Sequence, residues 1–239
     1  MLWFLALAPA LALNPTIIRR DYILRVVAEM AQVLARVISL KGRQEYEQAL
    51  REINAALREL RDDSTEPPEE ISLADWIVLC RKQEQAASGL MIAVADLLKE
   101  QGDVLAAQDR PDGSSRSRAL ALGLFLEALL NGETFVTAEL LAKVEELFAQ
   151  TRRTLSDSEV WRRLVSYFEA RGRFGQAEDA LFAWLATDDP AATTEGLAFY
   201  ERLGRQDDAD LERGELPRAE LEQGRHEFTA VANRTRRPD

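Results

Sequence analysis

The chain has 239 residues, 46% of them hydrophobic and 30% charged, with a formal net charge of −11. That is enough for one large helical domain or two small ones with a sizeable core, and the acidity argues against a general nucleic-acid partner, whose affinity rests on neutralised phosphates. A single cysteine, Cys80, excludes an intrachain disulfide and suits a reducing compartment, and a single histidine, His226, excludes the helical metal motifs that need two.

Residues 1–13 carry no charge but fall short of the roughly 20 apolar residues that cross a bilayer. They lack the basic start of a secretory signal, although Ala8-Pro-Ala10 and Ala10-Leu-Ala12 resemble a small-residue cleavage site. The expectation is a start-site artefact and a native beginning near Asn14, an N-cap residue followed by Pro15 at the first helical position. A signal or anchor and a structured segment are the alternatives. On the favoured reading the protein is cytoplasmic, and a tether through residues 1–13 would export it or anchor it to a membrane.

From Pro15 onward a helical period is sustained and no strand-like alternation appears. The first helix is predicted from Pro15 to Lys41, with Ile17, Tyr22, Leu24, Val27, Ala31, Leu34 and Ile38 as its apolar stripe. The second runs from Arg43 to Arg61 with Tyr46, Ala49, Leu50, Ile53, Leu57 and Leu60 on one side. Asp62 to Glu70, with its paired prolines, reads as a linker. Ser72 caps the first of a helical pair that ends at Gln101. Gly102 to Ser117 reads as a polar loop around Pro111-Asp-Gly113. The next helix, Arg118 to Asn131, has only Glu127 as a charge between Ala119 and Leu130, so it belongs at the centre of the domain.

A helix to about Arg153 follows, then two helices joined at Gly172-Arg173-Phe174. A shorter helix spans Thr193 to Leu203, and a last one starts at Pro217 and ends near Val231. Residues 233–239 have nothing apolar to bury and read as a disordered tail. The whole is one all-α domain over residues 14–232, built of antiparallel helical hairpins. Three places share a turn, an aromatic and an alanine three residues on: Tyr46/Ala49, Phe135/Ala138 and Phe174/Ala177. The aromatic fills a hairpin corner and the alanine lets the helices approach.

No catalytic, cofactor or metal site is expected. His226 reads as a surface residue, and Cys80, behind Trp76-Ile-Val-Leu79, as a buried inert thiol. Gly113-Ser-Ser-Arg-Ser-Arg118 offers amides and arginines to an anion but lacks the lysine of a nucleotide loop, so it reads as a solvated turn. Arg152, Arg153, Arg162, Arg163, Arg171 and Arg173 outnumber the acids of the same stretch, which makes it a candidate dock for an acidic peptide or a phosphate. A helix face with its own ion pairs is the plainer alternative.

Residues 158–191 resemble a tetratricopeptide repeat. Trp161, Leu164, Phe168, Ala177 and Leu181 fall at the motif's positions, and Gly172 and Phe174 fit its turn. Val165 replaces a small residue of the motif, and Trp184 stands where a small residue normally admits the next helix. More broadly, Asn14 to Ile23, Phe199 to Leu203 and Leu211 to Arg218 resemble a bacterial family of unknown function that is similar to tetratricopeptide proteins and has no assigned activity. The resemblance implies an irregular superhelical array and a scaffold without catalysis that binds another protein or peptide. It also implies a concave face presenting Glu159, Arg162, Ser166 and Glu169. Arg163 joins these candidates through the local arginine excess. The competing expectations are a ligand pocket, enzymatic or not, between the Asp75–Gln101 pair and the Arg118–Asn131 helix, and a membrane-tethered form of the scaffold.

Overall fold

The computed structural model describes residues 15–61, 66–83, 86–131 and 136–235, with side chains from Arg25 to Asn233. Residues 1–13, the Asn14 cap, Asp62 to Thr65 of the linker, Phe135 and residues 236–239 lie outside the described residues. Among the described residues there are eleven α-helices, one 3-10 turn and no strand. None of these helices is long and apolar enough to cross a membrane.

Helix α1 (Pro15–Gly42) pairs with α2 (Tyr46–Glu59) and lies against α4 (Ala87–Ala107). The face of α1 turned to the core is Val26, Met30, Val33, Val37 and Leu40. This corrects the expected stripe by one residue. Ala31 is exposed and Ile38 is 51% exposed, while Val27 and Leu34 sit at the edge, half-buried. Both stripes repeat at three- and four-residue steps, so periodicity alone cannot choose between them. Helix α2 buries the expected side, with Ala49, Leu50, Ile53 and Leu57 inward.

The 3-10 turn Pro68–Glu70 leads into α3 (Leu73–Arg81), capped by the Ser72 hydroxyl, which accepts from the Asp75 amide at 3.1 Å. Helices α4 and α5 (Pro111–Leu130) form the most extensive pair in the molecule. Every residue of α5 from Leu120 to Ala128 is buried, as its apolar sequence requires. The expected loop over Gly102 to Ser117 is absent; α4 runs to Ala107 and α5 begins at Pro111, the first-turn position proline favours. The small polar residues mark a close crossing instead. Ser114 and Ser117 are buried, and a Cβ on Gly102 would stand 2.6 Å from Arg118 Cγ and 3.1 Å from the Ser114 carbonyl oxygen.

That geometry predicts opposite effects for one substitution at two places on α4. Gly102→Ala is expected to destabilise by about 1–3 kcal/mol, because the Arg118 stem must shift away from its seat between α4 and α5. Gly89→Ala, with nothing within 4 Å of the added carbon, is expected to stabilise by about 0.5–1 kcal/mol through helix propensity. Thermal melts of the two variants check this.

Helix α6 (Ala138–Thr151) covers α5 and precedes the hairpin α7 (Ser158–Ala170) and α8 (Phe174–Leu185). Gly172 takes φ +68° at the turn, a conformation L side chains rarely adopt. Phe174 and Ala177 are buried, as are Ala49 and, in part, Tyr46; Ala138, of the third instance, is exposed at the start of α6. Trp184 ties the next element rather than blocking it. Its indole N–H donates to Asp189 Oδ2 at 3.0 Å, and Asp189 caps α9 (Pro190–Leu203), three residues earlier than the expected Thr193 start. A short α10 (Asp208–Arg213) leads to α11 (Arg218–Thr235), which packs mainly on α9. Helix α11 takes in residues 233–235, which the tail expectation had left outside the fold.

Candidate functional site

The charge that α5 buries organises the middle of the molecule. Glu127, 6% exposed, accepts from Arg163 Nε of α7 at 2.7 Å and from an Arg81 guanidinium nitrogen of α3. Arg163, 5% exposed, also donates to Glu159 through the backbone carbonyl at 2.8 Å and Oε2 at 2.6 Å. Arg162 donates to the same Glu159 carboxylate at 3.1 Å. Burial alone would raise the Glu159 carboxyl, but hydrogen bonds from Arg163 and Arg162 and their charges outweigh it and hold the group below the usual carboxylate range. Further along α7, Glu169 accepts two bonds of 2.8 Å from Arg202 of α9, and Arg202 donates a third, of 3.2 Å, to Glu195. Ion pairs therefore link α3, α5 and α7 in one chain, and α7 and α9 in a second.

The five expected interface residues separate into two groups. Arg163 faces the core and belongs to the interior pair, so it is not a residue of an accessible face. This corrects its assignment; Val160, Leu164 and Phe168 are buried in the same helix and draw Arg163 inward beside them. Arg162, Ser166 and Glu169 recur at four- and three-residue spacing and share the other side. The Arg162 side chain is 43% exposed, Ser166 is exposed, and Glu169 is covered in part by Arg202. Glu159 lies at the boundary, bonded to both arginines.

The arginine excess read along α7 is also partly spent in three dimensions. Arg163 is matched by Glu127 and Arg173 by Glu145, both from other helices. Arg171 sits over the Tyr167 ring at 5.7 Å. Arg152 and Arg153 are exposed after α6. Arg81, Glu127, Glu195 and Arg202 are the residues that sequence reading left out of the site. Only Glu127 carried a signal, as the lone charge in a buried helix.

Two other polar groups serve packing. Asp103 accepts from Arg118 at 2.8 Å and from Lys41 at 3.3 Å, tying α4 to α5 and α1. Gln101, buried, bonds Asn54, Glu69 and Ser117. The segment Gly113 to Arg118, expected as a solvated turn, lies instead within the first turns of α5, with Arg118 committed to Asp103. Burial pushes the Cys80 thiol up to about 12, so it is protonated at neutral pH. His226 is exposed on α11. Among the described residues no group of His, Cys, Asp and Glu is placed to hold a metal ion. Helices α4 and α5 approach closely where Gly102 meets Arg118. A cleft of 350 Å³ lies on the other side of α3, lined by Ile71, Trp76, Val78 and Leu79 with Arg61, Glu66, Asp75 and Lys82.

Comparison with curated proteins and with solved structures finds no match. A family model does match, over residues 17–232, and it covers the helices from α1 to α11 that carry both ion-pair chains. The chain thus belongs to the family of unknown function DUF6483.

Proposed function

We propose that the protein is a non-catalytic interaction module of tetratricopeptide-like hairpins, whose α7–α9 face takes a helix or extended segment of another protein. The observation that carries this reading is the outer strip of α7. Arg162 and Ser166 stand open there, while Arg202 and Glu169 lock α7 to α9. A surface fixed in this way loses little conformational freedom when a partner docks. Acidic character in the partner follows from Arg162: a guanidinium has five N–H donors, and Arg162 gives one to Glu159. Carboxylates of a partner suit that planar fork. The buried thiol fits a reducing, cytoplasmic setting for the same module.

The test is affinity capture from the native host with wild type and with Arg162→Glu plus Ser166→Tyr. Circular dichroism first establishes that both fold. Neither position contributes to the core, so the fold is expected to persist. Loss of a desolvated charged contact weakens binding by about 1–3 kcal/mol, and wild-type partners are expected to drop out of the variant's eluate. Equal recovery of the same partners by both proteins would place the binding surface elsewhere.

A further inference from the structure

Where α11 meets α8 and α9, the described residues place an acidic contact with no counter-charge. Helix α11 lies across α8 and α9 and buries Leu221, Phe228 and Ala232. The Phe228 ring meets Phe182 of α8 and Tyr200 of α9, each with centroids 5.7 Å apart. Beside that cluster the Tyr200 hydroxyl donates to Glu178 Oε1 of α8 at 2.7 Å. Gly224 brings the α11 backbone down onto this pair. A Cβ there would stand 2.0 Å from Glu178 Oε1 and 3.1 Å from the Tyr200 oxygen.

Among the described residues no lysine or arginine pairs with Glu178. The charged groups that act on it are all acidic: Asp179 from its own helix, and Glu220 and Glu227 from α11. Helix α9 contributes only the tyrosine. The half-buried carboxyl must therefore either hold a proton or set a charge among three other carboxylates.

We propose that Glu178, Tyr200 and Gly224 form a pH-responsive latch that keeps α11 seated while the Glu178 carboxyl holds its proton and loosens it as the carboxyl ionises. Burial raises the Glu178 carboxyl above its usual range; the neighbouring acids push the same way, and the Tyr200 hydrogen bond only partly opposes them. Folded Glu178 thus holds its proton more tightly than the unfolded chain does. Its contribution is fully present below the ordinary glutamate range and is lost as pH rises through the raised value. Release of α11 uncovers Phe182, Tyr200 and the backbone at Gly196, against which the Phe228 ring is seated. That apolar end is built to receive a helix.

Hydrogen exchange of the full chain, corrected for the intrinsic pH dependence of exchange, reads the latch directly at about pH 4 and about pH 8. In wild type, α11 protection is expected to fall several-fold at the higher pH while α4 and α5 keep theirs. Glu178→Gln should leave α11 protected at both. Gly224→Ala should leave it poorly protected at both, although alanine is the better helix former. Glu227→Gln removes a negative neighbour and should move the wild-type transition to lower pH. Equal α11 protection across pH in wild type would overturn the proposal. So would a wild-type slope in Glu178→Gln, a gain of protection in Gly224→Ala, or an unshifted transition in Glu227→Gln.

Discussion

Glu127→Ala is expected to lower stability by about 3–5 kcal/mol, the cost of removing one partner of a buried ion pair. The Glu127 and Arg163 side chains are 8% and 6% exposed, so water cannot replace the lost carboxylate. Arg163 would keep Glu159, whose side chain is 42% exposed and which already serves Arg162. Arg81, at 57% side-chain exposure, would turn to solvent at little cost. The effect should therefore be seated in the α5–α7 contact. For a domain of this size each kcal/mol moves the melting midpoint by about 2–4 °C, so a drop of roughly 10 °C is anticipated. Glu127→Leu combined with Arg163→Met should recover most of the loss, since a buried pair is often no better than an apolar replacement. As a control, Arg213→Ala removes an exposed pair and should stay within about 0.5 kcal/mol of wild type. A double variant as unstable as Glu127→Ala would show that the pair does more than satisfy itself.

Trp161→Ala should be of similar size, about 3–5 kcal/mol, for a different reason. The ring is 6% exposed and meets Phe148 of α6 edge-on, with centroids 6.3 Å apart and planes at 90°. Its indole N–H donates to the Leu155 carbonyl at 3.2 Å, closing the connection between α6 and α7. Removal leaves a cavity and an unpaired carbonyl together. Trp161→Phe keeps much of the ring and loses the donor, for which about 1 kcal/mol is expected. Thermal or denaturant unfolding of the two variants separates the packing contribution from the hydrogen bond.

Much of the architecture was legible because helical period and stop signals agree. Pro15, Ser72, Gly172 and Pro217 mark element ends where the chain turns. The buried helix was readable from its composition, since nothing from Ala119 to Leu130 except Glu127 is charged. The 102–117 segment misled because Gly and Ser serve two purposes. They favour turns when solvated, and they allow two helices to touch when buried, as Gly102, Ser114 and Ser117 do. The offset on α1 has a similar origin, in two apolar stripes one residue apart.

The proposed interaction face was legible only in part. Spacing along α7 picked out Arg162, Ser166 and Glu169 as one side of a helix. It could not reveal that Arg163, the next residue, turns inward to a carboxylate 36 positions earlier. Nor could it show that Arg202 of α9 would close over Glu169. Charges counted along a chain say nothing of partners brought in by the fold. The local arginine excess is thus smaller in space than in sequence, and the proposed recognition rests on Arg162 and the open strip beside it.

The most direct test of partner binding at this strip is photo-crosslinking inside the native host, with a photoreactive side chain placed at Ser166 and, separately, at Arg58, an exposed residue of α2. The account predicts a discrete adduct with another protein from position 166, lost when Arg162→Glu is added, and none from position 58. No adduct from position 166, or the same adduct from both positions, would contradict it.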